Sequence, residues 1–422
     1  MSTTLEQAGA RALAHFEAVR DRLPGRQDLR VAAASLFGSR GLPGRRDEAW
    51  RYTSLRDLSA TSFAAPEADV PAEVIADWVR IAAGLPRIVI VNGKVRQDLS
   101  SLPDAMSVDP FYAARSTERT GNGLPMVALN TMFAEDGVAI TVGRDVDCGP
   151  VALLTFTVGE SRDGIDMPAV HLRHRIVVQP GARLSLIDVS AGSGRYLNNT
   201  VFEVEVATGA RLSHARIQRE SLDAAAITTL FVDAGKGATY DSFTLALGAK
   251  LARNEVHARL AGPGAAAHLN AAQLLAGTQH ADITTVVSHD APSCASRQTV
   301  KNVLADRARG VFQGKIEVAR AAQKTDGYQM NQALLLSPEA EIDSKPELEI
   351  FADDVKCSHG ATVGELDMDQ IFYLRSRGVP ARDARTLLIR AFLAESLADI
   401  EDPEARRMAE EALEGSWEKL GR

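Results

Sequence analysis

A short turn-like element recurs through the middle of the chain: "PGARLSL" at 180, "TGARLSH" at 208, "KGATYDS" at 236, "LGAKLAR" at 247 and "PGAAAHL" at 263. Gly181, Gly209 and Gly237 are 28 residues apart twice (209 − 181 and 237 − 209), after which the spacing falls to 11 at Gly248 and 16 at Gly264. Similar turns at nearly regular intervals mark a solenoid, in which each repeat buries its apolar face against its neighbours. Between the turns, apolar and polar residues alternate with the period of a strand. The alternation is clearest in "VFEVEVATGARLSHARIQ", which puts Phe202, Val204 and Val206 on one side and Glu203 and Glu205 on the other. Strands, glycine turns and polar loops continue over residues 125–365 with almost no helical period, so a parallel β-helix is predicted there. A large jelly roll would show much the same alternation, and coincidence among 32 glycines is the bland alternative. An elongated repeat also accounts for 422 residues, too many for one ordinary compact core.

The two ends read differently, so the fold class expected is mainly β with helical ends. Residues 1–85 are predicted to be a helical region, with Leu5, Ala8, Leu13, Phe16 and Val19 near a helical period. Residues 86–124 hold a short apolar strand in "PRIVIVNGKV", broken by Asn92-Gly93, a strong hairpin signal, and a connecting segment. Residues 366–422 turn helical again: Gly378 stops one helix, Pro380 opens the next, and Ala384, Leu387, Leu388, Ala391 and Phe392 line one face. Ile371, Phe372, Leu387 and Leu388 are expected to lie inside.

Charge excludes some functions. With 47 basic against 55 acidic residues, the net charge is −8 and no polybasic run is present to gather phosphates, which argues against a nucleic-acid partner. No stretch of about 18 apolar residues and no signal-peptide core occur, so no membrane association and a cytoplasmic location are expected. Cys148, Cys294 and Cys357 are odd in number and far apart, which fits a reducing compartment better than a disulfide framework. GxxxxGK[ST], GxGxxG and GxSxG are absent, removing the usual support for a P-loop, a Rossmann turn or a nucleophile elbow.

The one suggestive constellation lies in "ADDVKCSHGATVG", residues 352–364. Strand alternation puts Val355, Cys357 and His359 on one face, with Lys356 and Ser358 on the other. Thiolate and imidazole are ligands for iron or zinc, yet a closed site needs about four, so this strand offers at most half of one. It stands near the end of the strand-rich region, where an open β-helix presents an unpaired edge that another chain can cover. The bland reading is a buried cysteine beside a structural histidine. His171 with His174, and His289 with Cys294, are weaker pairs with no third ligand nearby in sequence.

Residues 312–378, "FQGKIEVARAAQKTDGYQMNQALLLSPEAEIDSKPELEIFADDVKCSHGATVGELDMDQIFYLRSRG", resemble the signature region of the SufB/SufD family of iron-sulfur cluster assembly proteins. "DEAWRYTSL", "IVIVNGKV" and "LPMVALNTMFAEDGVAI" resemble its N-terminal half. The "VNGKV" strand, the shorter length and Gly360 after His359 bring the chain nearer the SufD branch. The resemblance implies a right-handed parallel β-helix between helical termini and a non-enzymatic scaffold. Such a scaffold pairs with SufB through the β-helix edge and anchors the ATPase SufC on its C-terminal helices, with Arg375, Arg377 and Arg385 available for contact. It further implies that His359, with Cys357 less firmly, helps hold a transient iron-sulfur cluster shared with SufB. A reduced flavin would belong to the whole complex, with none tightly bound to the isolated chain. Edge pairing alone predicts a homodimer when the chain is isolated. The competing expectations are a β-helix polysaccharide lyase or esterase, which needs a groove of carboxylates, and a homodimeric structural protein that does not depend on His359.

Overall fold

A computed structural model of the chain describes residues 4–58, 62–66, 70–113, 123–159 and 166–417. From residue 138 onward, successive strands join two sheets in strict alternation, so each coil contributes one strand to each sheet. Every pairing within this stack is parallel, which is a solenoid and not the antiparallel ladder of a jelly roll. The antiparallel pairs lie at the N-terminal end, where Arg87–Val91 meets Lys94–Val95 and Met106–Pro110 meets Val138–Val142. Asn92 and Gly93 have φ of 48° and 77°, the left-handed pair of a type I′ hairpin. The strand Arg87–Val91 also pairs in parallel with Asp147–Val158, so the solenoid's sheet begins before residue 125.

The in-register series Arg183, Arg211, Thr239, Ala266, Ala295 and Asp326 gives coil lengths of 28, 28, 27, 29 and 31 residues. One corner of every coil carries a residue with positive φ: Gly181, Gly209, Gly237, Gly264, then Ser293 and Lys324. Each donates its N–H to a carbonyl of the next coil, for example Gly209 to the Lys236 oxygen at 2.9 Å. A second corner runs through Ala249, Gly277 and Asp306, spaced 28 and 29. The irregular interval at Gly248 therefore arises because two corner series interleave in the sequence.

The lumen of the early coils is a hydrocarbon core of residues such as Leu184, Leu186, Phe202, Leu212 and Leu230. The outer face of one sheet is covered by the N-terminal helices Thr4–Val19 and Gln27–Arg40 with Pro125–Phe133. The other is covered by Ala72–Val79 and the C-terminal helices Ala381–Leu397 and Pro403–Glu414. This covering changes one expectation. Phe202, Val204 and Val206 face the lumen as predicted, but of the two outward glutamates only Glu205 reaches solvent. Glu203 is buried and takes the Arg173 guanidinium beneath the helical layer.

The C-terminal helices use a different face from the one expected. Asp367 caps Met368–Ser376, accepting from the N–H groups of Asp369 and Gln370. Ile371 is buried there, but Phe372 is 72% exposed. In Ala381–Leu397 the buried positions are Ala384, Ile389, Leu393, Ser396 and Leu397, while Leu387 is 48% exposed and Leu388 only half-buried. Assigning Phe372 and Leu387 to the interior is thus corrected. The helix packs on the outer sheet through Ile389, Leu393 and Leu397, which turns Leu387 to solvent.

Candidate functional site at the open end of the solenoid

The solenoid ends in two edge strands, Glu341–Ile350 in one sheet and Val355–Gly364 in the other. Among the described residues each is paired on one side only, leaving a row of backbone donors and acceptors free. Ile350, Phe351 and Val363 are exposed around this rim. Such a surface can accept strands from a second chain.

Cys357 stands in register with Gly327, and His359 with Gln329, on the lumen side of the last strand. Gly327 has a structural use here. A Cβ at that position would lie 3.3 Å from the Cys357 Sγ, so the missing side chain seats the thiol against Ile316. Cys357 is half-buried at the edge of a small cluster formed by Ile316, Val318, Ala322 and Ala352. Burial pushes its thiol up from the ordinary cysteine range, the Gly327 backbone opposes this, and the Asp326 charge adds to it. The resting sulfur is therefore a thiol and needs a metal or a cationic group to become a thiolate.

His359 is exposed, two residues farther along the same face. Its ring has no protein hydrogen-bond partner among the described residues. Gly360 faces the other way and leaves room for Met330, whose Cε would sit 2.8 Å from an added Cβ. Cys357 and His359 thus share one rim, as strand parity predicted. No group of three or more His, Cys, Asp or Glu able to hold a metal ion occurs among the described residues.

Neither of the weaker pairs forms a ligand pair: strand parity separates the first, and the members of the second bond other groups. His171 points outward into a stack with Phe133, ring centroids 5.5 Å apart, whereas His174 points into the lumen against Phe202 at 4.7 Å. His289 is buried and bonds Ser296 at 2.9 Å, and Cys294 bonds the Gly262 carbonyl at 3.3 Å. Burial raises the Cys148 and Cys294 thiols, so both act as small core residues.

Arg375, Arg377 and Arg385 are all exposed on the helices that follow the terminal strand. The Arg377 guanidinium lies 3.5 Å from the centre of the Tyr373 ring. Arg385 borders a cavity of about 240 Å³ shared with Leu336, Pro338, Leu366 and Met368. Around these cations stand Met368, Phe372, Tyr373 and Leu387, all exposed. Sequence reading placed the arginines on this surface but not the apolar side chains between them, because helical period alone does not say which apolar stripe meets the sheet. No helix among the described residues is long and apolar enough to cross a membrane.

Comparison with known proteins agrees with this architecture. The family model "SUF system FeS cluster assembly, SufBD core domain" matches residues 159–392. An iron-sulfur cluster assembly SufBD family protein of Synechocystis is 34% identical over 88% of this chain and 86% of its own length. The iron-sulfur cluster assembly protein SufD of Escherichia coli is 32% identical over 86% of each chain. Protein ABCI7, chloroplastic, of Arabidopsis thaliana is 30% identical over 92% of this chain and 86% of its own. A chain whose terminal strand and most of whose solenoid fall within the family model, and whose relatives at 34%, 32% and 30% identity are matched over most of both chains, belongs to the SufBD family of iron-sulfur cluster assembly proteins.

Proposed function

We propose that the chain is a non-catalytic scaffold of the SufD type that meets SufB through the open rim and helps hold a cluster under assembly between the two chains. The supporting observation is His359: an exposed, unpartnered imidazole beside a half-buried thiol, on an edge strand with one side unpaired. A partner strand adding to Val355–Gly364 would gain ladder hydrogen bonds and bring further ligands against His359 and Cys357. The cluster is cargo passed on, which suits an incomplete ligand set, since four resident ligands would retain it. A reduced flavin, where used, would serve the assembled complex. In the isolated chain the same rim would pair with a second copy, and the cytoplasm would supply the reducing conditions that free thiols require.

The test is co-expression with SufB and SufC. His359→Ala is expected to leave the complex at normal stoichiometry while its iron and sulfide content falls several-fold, and Cys357→Ser to lower it less. Unchanged iron and sulfide in the His359→Ala complex removes the imidazole from the site.

The same reading assigns SufC to the exposed face of Met368–Ser376 and Ala381–Leu397, supported by the mix of Phe372, Tyr373 and Leu387 with Arg375, Arg377 and Arg385. Because Phe372 and Leu387 are exposed, replacing them does not open the core. Phe372→Asp with Leu387→Asp is expected to abolish co-purification of SufC while the thermal transition stays within about 2 °C of the parent. Retention of SufC at full stoichiometry would place the ATPase elsewhere.

A further inference from the structure

A second concave site lies at the N-terminal end of the solenoid, away from the open rim. The helix Thr4–Val19, the short strand Ser62–Ala64, the Asn92-Gly93 hairpin and the strand Asp166–Val178 border a cavity of about 370 Å³. Its wall is aromatic. His15, Phe133 and His171 form a ladder of three stacked rings, successive centroids 5.5 Å apart and planes inclined by 25° and 29°. Phe63 stands in the same lining, with Val19 and Leu23 adding aliphatic surface.

The polar groups are few and unbalanced in charge. Lys94 and Glu135 neutralise one another at 2.6 Å. Arg22 has no side-chain partner among the described residues, which leaves one unmatched cation in the lining. His171 supplies a donor. It is only 9% exposed, and its Nδ1 accepts from the Asn199 amide at 3.3 Å, so the ring proton sits on Nε2. That N–H has no protein partner among the described residues and is not sealed from solvent, so the cavity it lines is its outlet. Burial, and then the neighbouring His15, hold the imidazole down to about 3, so it donates without adding charge. A helix laid on a sheet ordinarily leaves no void much larger than a water molecule. Here a cavity of ligand size remains, with a buried donor opening on it and a guanidinium left unpaired.

We propose that this cavity binds a small aromatic acid of one or two rings, its ring against Phe63 and the ladder of His15, Phe133 and His171, and its anionic group at Arg22. The class follows from the lining. An aromatic wall selects a flat apolar body, and an unmatched guanidinium selects an anionic group. A cation of the same shape would meet Arg22 and Lys94 with only Glu135 to offset them. The site belongs to the isolated chain and is remote from His359, so its failure would leave the reading of the rim untouched.

The probe is 1-naphthoate. In equilibrium dialysis against the full chain it is expected to bind at a single site with a dissociation constant of about 1 mM or tighter. Its neutral isostere 1-naphthamide should bind about ten-fold more weakly, since it lacks the charge-assisted bond, and the cation 1-naphthylmethylamine more weakly still. Arg22→Gln removes an exposed side chain, so folding should be unaffected; the variant should lose about ten-fold in affinity for naphthoate and hold its affinity for naphthamide within about two-fold. A crystal structure of the chain with 1-naphthoate should show the ring against Phe63 and Phe133 with the carboxylate at Arg22. Equal affinity for the three probes, parental binding of naphthoate by Arg22→Gln, a ring seated elsewhere, or no binding up to about 10 mM would each overturn the assignment.

Discussion

Lowering the pH from 7 to about 5 is expected to unfold the chain, because its fold buries neutral imidazoles that the unfolded chain would protonate. Burial holds His171 and His174 down to about 3 and His289 to about 4, from an ordinary 6.5, and neighbouring positive charge adds to the effect at the first two, from His15 and Arg216 respectively. His214 is pushed well below 6.5 by burial, then by Arg216 and His174. A depressed histidine costs nothing at pH 7 and withdraws stability as pH falls below 6.5, until the folded form itself protonates at 3 to 4. Within that window each imidazole removes about 1.4 kcal/mol per pH unit, so four together remove about 5 kcal/mol per unit, comparable with the whole stability of a typical domain. Asp188 and Glu220, raised by burial, work in the opposite sense but are fewer. Urea midpoints measured between pH 7.5 and 5 should fall steeply below 6.5. A flat profile to pH 5 would mean that these buried sites admit imidazolium.

Replacing Arg253 by methionine should cost about 3 to 5 kcal/mol, the usual consequence of stranding buried charge. The Arg253 side chain is fully buried, donating to Glu255 from Nε at 3.1 Å and from Nη2 at 2.9 Å, and to Asp282 from Nη1 at 2.5 Å. Its guanidinium lies 4.2 Å from the centre of the Trp50 ring. Asp282 also accepts from the hydroxyls of Thr53 and Thr284, and Glu255 is bonded to His257 at 2.8 Å. Burial alone would raise the Glu255 carboxyl, but Arg253 and His257 hold it down to about 2. Without the guanidinium two carboxylates remain in a dry site, and the segment carrying Trp50 and Thr53 loses its anchor on the sheet. A lower urea midpoint with faster proteolysis near residues 44–58 is expected. Arg253→Lys should recover part of the loss, since a point charge cannot fork to both acids. A methionine variant within about 1 kcal/mol of the parent would show that the cluster is not a clamp.

The motif "DEAWRYTSL" was readable as a family feature, but its mechanical use was not, because Arg253 is far from it in the chain. Ser293 and Lys324 continue the corner that Gly181, Gly209, Gly237 and Gly264 begin, and neither residue type announces a left-handed turn. The buried amides of the last coils, Gln298, Gln329 and Asn331, alternate along their strands as ordinary polar residues would; nothing local marks them as interior.

By itself the sequence determined the solenoid, the helical ends and the shared face of Cys357 and His359, since turn spacing and strand parity are properties of the backbone over a few residues. Tertiary structure alone decided that Glu203 is buried, that Phe372 and Leu387 face solvent, that Cys357 is half-covered while His359 is open, and that Arg253 neutralises two acids beneath Trp50. Those outcomes depend on which outer faces the terminal helices cover, and that choice is settled by apolar area buried between segments distant in the chain.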